Sequence, residues 1–150
     1  NWSNVAIDSI INNGNIIKVA FNKNKTIGIA IAELNNNSCY FLRSVDNGDS
    51  WAAIHQVAGL MKSVSFYDTD KILIAGDVGE MYKSETGGLS WGLINTNIFA
   101  DITDISCAGN QTCYTCSETA VVHKTSNADT WNNVYSGTNI NFKSIWAVSS

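Results

Sequence analysis

The sequence predicts an all-β chain assembled from similar units of about forty residues. Three observations predict it. Trp51, Trp91 and Trp131 recur at intervals of forty residues. Each closes a related phrase: Arg43-Ser-Val-Asp-Asn-Gly-Asp-Ser-Trp51, Lys83-Ser-Glu-Thr-Gly-Gly-Leu-Ser-Trp91 and Lys124-Thr-Ser-Asn-Ala-Asp-Thr-Trp131. Between the phrases, short apolar runs alternate at period two, as in Val64, Phe66 and Ile72, Ile74, with turn residues separating them.

Each unit reads as four strands, named a to d in chain order. The a strands are Ile16–Asn22, Ser63–Tyr67, Thr103–Ala108 and Phe142–Val148. The b strands are Thr26–Ala32, Ile72–Gly76 and Thr112–Cys116. The c strands are Cys39–Ser44, Glu80–Ser84 and Val121–Thr125. The d strands are Trp51–Val57, Trp91–Asn95 and Trp131–Tyr135. Asn1–Ile7, with Trp2 at the matching place, reads as a d strand lacking its own a, b and c. Four strands per forty residues is the blade of a β-propeller. The expected blades span 16–57, 62–97 and 103–137, with 1–7 and 142–150 as strands of neighbouring blades. Propellers usually have four to eight blades. Three blades are therefore expected to belong to a longer propeller or to assemble with another copy of the chain.

Composition narrows the function classes. Of 150 residues, 45% are hydrophobic and 15% charged, which is globular rather than disordered. The net charge is −4, and the cations are scattered singly apart from Lys23 and Lys25. A nucleic-acid partner or an anionic membrane surface needs clustered positive charge, so neither is expected. No apolar run reaches the length of a membrane span. No signal peptide is visible and the chain starts at Asn1, which reads as a processed or trimmed chain. The nineteen asparagines, with no proline, suit many tight turns.

The phrase before each tryptophan has its own turn chemistry. A Ser or Thr ends strand c, and two residues later Asp or Asn can accept hydrogen bonds from turn N–H groups. A Gly supplies positive φ, and the Trp starts strand d and buries a large surface between sheets. This arrangement resembles the Asp-box, or BNR, repeat, Ser/Thr-x-Asp-x-Gly-x-x-Trp. Ser44, Asp46, Gly48 and Trp51 match all four positions. Ser84, Gly88 and Trp91 match three, with Thr86 in place of Asp. Thr125, Asn127 and Trp131 remain in the third, which is one residue shorter and has lost its Gly. The wider repeat, with Ile-Ala-Gly-Asp-Val-Gly at 74–79, is similar to the Ycf48-like propellers and to the sialidase-like and sortilin-like group.

The resemblance implies that these boxes lie at the rim away from the usual binding face, so Asp46 reads as a turn stabiliser. The binding face is then built from d–a and b–c connections. The candidate loops are Asp8–Asn15, Glu33–Asn37, Ala58–Met61, Asp77–Gly79 and Asn97–Asp101. Within them Asn12, Asn13, Asn35, Asn36, Asp77, Asn97 and Asp101 are candidate contact residues for a protein or a glycan.

Catalysis is not expected. Sialidases of this fold hold the substrate carboxylate with three arginines, whereas this chain has only Arg43. Related propellers cleave plant polysaccharides with paired carboxylates. Asp101 and Asp104 lie in a d–a connection and read as residues of a solvated polar loop. His55 and His123 have no local nucleophile signature and read as outer-face or packed histidines. No cofactor is implied, since Gly76-Asp-Val-Gly79 lacks the Lys and helix of a phosphate loop.

Cys107 and Cys113 face each other across a short a–b turn, and neighbouring antiparallel strands suit a disulfide. Secreted bacterial proteins with similar repeats carry such a pair. The competing reading is zinc held by Cys107, Cys113, Cys116 and His123, although Cys113 and Cys116 would face opposite sides of one strand. Cys39 and Cys116 read as buried free thiols or as partners of segments beyond this chain. A disulfide implies a secreted or cell-surface protein. Sequons at Asn1, Asn24, Asn36 and Asn110 add nothing to that, because this much asparagine, serine and threonine creates sequons by chance.

The leading expectation is a non-catalytic binding or assembly propeller, one form of which is a module of an extracellular surface protein or fibre. One alternative is a fragment of a glycoside hydrolase with its catalytic residues elsewhere. Another is an assembly factor of the Ycf48 type, which would be expected to carry a basic patch.

Overall fold

The computed structural model describes residues 7, 11, 14–109, 111–138 and 140–148. Among them are three four-stranded antiparallel sheets, each an uninterrupted meander. The first contains β1 (Asn15–Phe21), β2 (Gly28–Leu34), β3 (Ser38–Ser44) and β4 (Ala52–Ala58). The second contains β5 (Met61–Phe66), β6 (Ile72–Gly76), β7 (Met81–Ser84) and β8 (Gly92–Ile94). The third contains β9 (Ile102–Cys107), β10 (Cys113–Ser117), β11 (Val121–Thr125) and β12 (Asn132–Ser136). All of the expected d strand at Asn1–Ile7 except Ile7 lies outside the described residues, as do Asn12, Asn13 and Asn110.

The sheets stack face to face, with β5 lying beside both β1 and β9. The first strands of the three sheets thus line up along one axis. Between the first two sheets, Ile29, Ile31 and Phe41 meet Val64, Ile72 and Ile74, with Trp91 packed against them. Between the second and third, Leu73, Ala75 and Met81 meet Ile102, Ile105, Cys113 and Trp131. The middle sheet is therefore covered on both sides. That explains β6, which is buried at all five positions: Ile72 and Ile74 serve one interface, Leu73 and Ala75 the other. Trp51 packs with Ile11, Ala30, Ala32 and Leu42 on the far side of the first sheet.

Two sequence-based expectations change. All three d strands begin one residue after their Trp. The indole N–H groups of Trp51 and Trp91 donate to Gly48 O and Gly88 O, both at 3.0 Å, and so hold these residues in their turns. Phe142–Val148 is not a strand. It runs beside β9 and is tied there by side chains, with Ala147 N–H donating to Ser106 Oγ at 3.0 Å. A period-two pattern needs a strand partner to become a ladder, and among the described residues this segment has none.

Cys107 and Cys113 are opposite each other in the β9–β10 ladder and are joined by a disulfide. The bond closes a separation of six residues. Its reduction is expected to lower stability by about 2 kcal/mol through the entropy returned to the unfolded chain, read as a lower thermal midpoint in reductant. Cys39 and Cys116 are buried and free. Burial raises both thiols above the ordinary value, which leaves them unreactive.

Candidate recognition rim and inner-strand network

The stack has two rims. The a–b and c–d turns share one, where Gly87 N–H donates to Asp70 O at 2.7 Å. The b–c and d–a connections share the other, where Gly59 N–H donates to Asn37 O at 2.9 Å.

At the first rim the three c–d turns are variations on one hydrogen-bond scheme. Ser44 Oγ donates to Asp46 Oδ1 at 2.8 Å and accepts Gly48 N–H at 2.9 Å. Asp46 also accepts Ser50 N–H at 2.9 Å and Ser50 O–H at 2.5 Å. These bonds from Ser50 and Ser44 hold its carboxyl down at about 2. In the second turn Ser84 Oγ accepts Gly88 N–H at 2.9 Å, and the Thr86 hydroxyl accepts Ser90 N–H at 2.9 Å, in place of the carboxylate. In the third, Asn127 Oδ1 accepts Asp129 N–H at 3.0 Å and Thr130 N–H at 2.8 Å. That shorter turn offers no glycine carbonyl, and Trp131 Nε1 is buried without a partner.

Asp46→Ala is expected to lower the thermal midpoint at neutral pH. A carboxylate with a depressed folded pKa stabilises above its unfolded value, near 4, and loses that contribution as pH falls through about 2. The deficit of the variant should therefore shrink in acid, as thermal melts across pH would record.

The cations opening the first two phrases have a role that the sequence reading missed. Arg43 Nε donates to Gly87 O of the next sheet's c–d turn at 2.6 Å. Lys83 Nζ makes the matching reach to Asp129 in the third sheet. The recurrence of a cation just before each Ser or Thr was the available signal.

At the second rim, Asp77 and Asp101 come together around Lys62. Its ammonium lies 2.6 Å from Asp77 Oδ1 and 3.0 Å from Asp101 Oδ2. Partial burial opposes the ammonium, but the two carboxylates outweigh it and hold Lys62 above its ordinary value. Val78 N–H donates to Asp101 Oδ1 at 2.9 Å. That bond and Lys62 hold Asp101 below the ordinary carboxylate value. The b–c turn between them is tight, with φ of 47° at Val78 and 75° at Gly79. Gly79 O accepts the buried Thr96 hydroxyl at 3.0 Å, locking this turn to the d–a segment. Asn97 sits there with φ of 55°, its N–H bonded to Asn95 Oδ1 at 3.1 Å. Val78, Leu93 and Phe99 are 66%, 62% and 88% exposed. Asn35 and Asn36 are exposed on the first sheet's b–c turn, where Asn36 Oδ1 accepts the Ser38 hydroxyl at 2.6 Å. Asn24 is exposed at the opposite rim.

Asp104 is not in a solvated loop. It lies within β9 and is 4% exposed. The registers Phe21↔Gly28, Phe66↔Ile72 and Cys107↔Cys113 make Lys18, Ser63 and Asp104 equivalent positions, each three residues earlier. Ser144 stands forty residues beyond Asp104. These four meet at the carboxylate. Oδ1 accepts Lys18 Nζ at 3.1 Å and Ser63 Oγ at 2.5 Å, and Oδ2 accepts Ser144 Oγ at 2.9 Å and Ile145 N–H at 3.1 Å. Burial alone would raise the carboxyl, yet these donors outweigh it and hold it below the ordinary value. The network ties the inner strands together, and Asp104 reads as a loop residue in the sequence because its partners lie 40 to 86 positions away.

His55 packs against Phe41 and Tyr82, with ring centroids 5.5 and 6.0 Å away. His123 is half-buried in β11, and burial lowers its pKa. Among the described residues no group of three His, Cys, Asp or Glu is placed to hold a metal ion. None of the described helices is long and apolar enough to cross a membrane.

No protein-family model and no curated protein matches the chain. Solved structures do. A Ycf48 bound to D1 peptide superposes with a TM-score of 0.70 at 19% identity, over 83% of this chain and 42% of that one. The fold is that of a β-propeller. Ycf48 from Cyanidioschyzon merolae matches with a TM-score of 0.67 at 16% identity, over 84% of this chain and 41% of that one. An ancestral GH74 enzyme matches at 0.63 and 16%, over 83% of this chain and 19% of that one. The three sheets are thus propeller blades, and the chain spans about two-fifths of the length of the Ycf48 structures. Likeness at this identity speaks to fold and not to activity.

Proposed function

We propose that the chain is a non-catalytic recognition module whose partner is a protein, met at the rim of b–c and d–a connections. The observation that carries this reading is the pair of loops around Lys62. They are fixed by ion pairs and buried hydrogen bonds, yet present Val78 and Phe99 to solvent beside the exposed Leu93 of β8. Rigid loops that display apolar groups suit binding. The peptide held by one Ycf48 neighbour is consistent with a protein partner.

The hydrolase alternative draws on the GH74 neighbour. Asp77 and Asp101 are the nearest thing to a catalytic pair. Glycoside hydrolysis needs one carboxyl raised so that it can donate a proton. Asp101 is displaced the opposite way and Lys62 engages both groups. The assembly-factor reading shares the fold but expects a basic patch on a chain whose net charge is −4.

Three further points belong to the same proposal. The c–d turns are Asp-boxes acting as turn stabilisers. The protein is secreted or at the cell surface, which the disulfide supports, with Asn24, Asn36 and Asn110 available for glycosylation. The exposed apolar edges around Ile16, Val19, Val134 and Tyr135 are covered by remaining propeller blades or another copy of the chain.

The test is to probe a peptide array and a glycan array with the same labelled chain, beside an assay for reducing ends released from plant polysaccharides. Saturable binding to peptides is expected. Binding confined to glycans, or sugar release abolished by Asp101→Asn, would overturn the proposal.

A further inference from the structure

Exposed apolar residues on the outer sheets, such as Ile16 and Tyr135, and Trp146 in the segment beside β9, stand at faces where a further blade could pack. Val78, Leu93 and Phe99 are different. They belong to the middle sheet, which already has a neighbour on each side. Their exposure is a property of the rim itself.

These three line an open groove of about 340 Å³, floored by Gly79, Ile94, Thr96 and Ile98. Val78 is a β-branched residue at positive φ, where Gly or Asn would be less strained. Its turn directs an isopropyl group outward beside Phe99 instead of into the core. Leu93 lies on β8, the outermost strand of its blade. Apolar clusters of this kind, rimmed by polar groups, mark interaction surfaces.

The polar rim is acidic. Asp77 and Glu80 are on the b–c turn and Asp101 on the d–a segment. Glu118 of the next sheet is adjacent, its N–H donating to Asp101 O at 3.3 Å. Against these carboxylates stands Lys62, already bridging Asp77 and Asp101. Among the described residues, Lys62 is the only cation within ion-pair distance of any of these four carboxylates. Charge complementarity therefore selects a cationic occupant and disfavours a second copy of this acidic chain.

We propose that the groove docks an extended protein segment in which an aromatic or aliphatic anchor is flanked by lysine or arginine. This rests on the reading of the chain as a protein-recognition module and names the chemistry of its partner. The anchor enters between Val78, Leu93 and Phe99, while Glu80 and Glu118 face the flanking cations.

The test uses fluorescence anisotropy of the full chain with two labelled peptides. One alternates Leu and Phe with Lys, and the other carries Glu at every Lys position. The basic peptide is expected to bind saturably and to weaken on adding salt, and the acidic peptide not to bind. Phe99→Ser should weaken binding about tenfold, as truncating a buried anchor does. Leu89→Ser, at an exposed apolar site on the opposite rim, should leave it unchanged. Circular dichroism of each variant separates lost binding from lost fold. Equal binding of both peptides, or basic-peptide binding indifferent to Phe99→Ser and Glu80→Gln, would overturn the groove proposal. So would array peptides that bind with no response to Phe99→Ser, a result that leaves the recognition reading standing. If no peptide on the array binds, the recognition reading itself falls.

Discussion

Gly79→Ala is expected to destabilise the chain by about 3 kcal/mol and to abolish recognition at the rim. A Cβ at this position would lie 1.7 Å from Ile98 O and 2.5 Å from Ile98 C. Both are backbone atoms and cannot rotate away. The residue also has φ of 75°, which costs an L-amino acid roughly 1–2 kcal/mol, and forced overlap in a packed site adds about 1–3 kcal/mol. The strain would separate the b–c turn from the d–a segment and break the bond from Thr96 to Gly79 O. Gly109→Ala is the matched control. Its φ is 82°, but nothing lies within 4 Å of the new methyl, so only the backbone cost of about 1 kcal/mol remains. Urea unfolding of both variants measures the difference. Equal losses would mean that the Gly79–Ile98 approach has no role in stability.

Asp104→Ala is expected to cost about 3 kcal/mol. Hydrogen bonds to a charged group are worth roughly 1.5–3 kcal/mol each. Asp104 receives four donors, but their contributions do not add in full. Lys18, with its side chain 42% exposed, can turn to water. Ser63 is wholly buried and would lose its acceptor. Asp104→Asn keeps one acceptor oxygen and should recover part of the loss.

The pH dependence has a definite sign. The folded carboxyl is held below its ordinary value, so its contribution is complete above the unfolded pKa of about 3.9. It is lost as pH falls through the depressed folded value. Wild type should therefore lead the Asn variant at neutral pH and lose that lead in acid. Denaturant titrations at several pH values would show it. A gap that stays constant with pH would assign the effect to packing alone.

The tryptophan interval made much of this fold legible, because it reports a turn that recurs once per blade. The a, b and c strands of the three sheets lie within a few residues of their expected bounds, because short turns of polar residues separate them. Strand starts after Trp51 and Trp91 were not legible, since only the folded turn shows that the indole bonds back to a glycine carbonyl. Phe142–Val148 has the alternation of a strand and lacks a strand to pair with, which sequence periodicity does not report. Asp104 was hidden in a different way. A carboxylate at the start of a strand looks solvated until Lys18, Ser63 and Ser144 are seen at equivalent places on neighbouring strands. Blade connectivity placed Asp77, Asn97 and Asp101 at the rim of b–c and d–a connections, where the structure has them. Lys62 and the outward set of Val78, Leu93 and Phe99 were missed, because apolar residues in a strand-rich sequence read as core.

The central claim divides the labour between the two rims: c–d turns hold the blades, and b–c and d–a connections recognise a partner. A ¹H–¹⁵N NMR titration of the chain with the basic, apolar peptide tests this most directly. Shift changes are expected at Val78, Leu93, Phe99, Asp101 and Glu118, with Asp46, Thr86 and Asn127 unmoved. Saturable changes centred on those c–d turns, with the Val78 and Phe99 amides unchanged, would contradict the account.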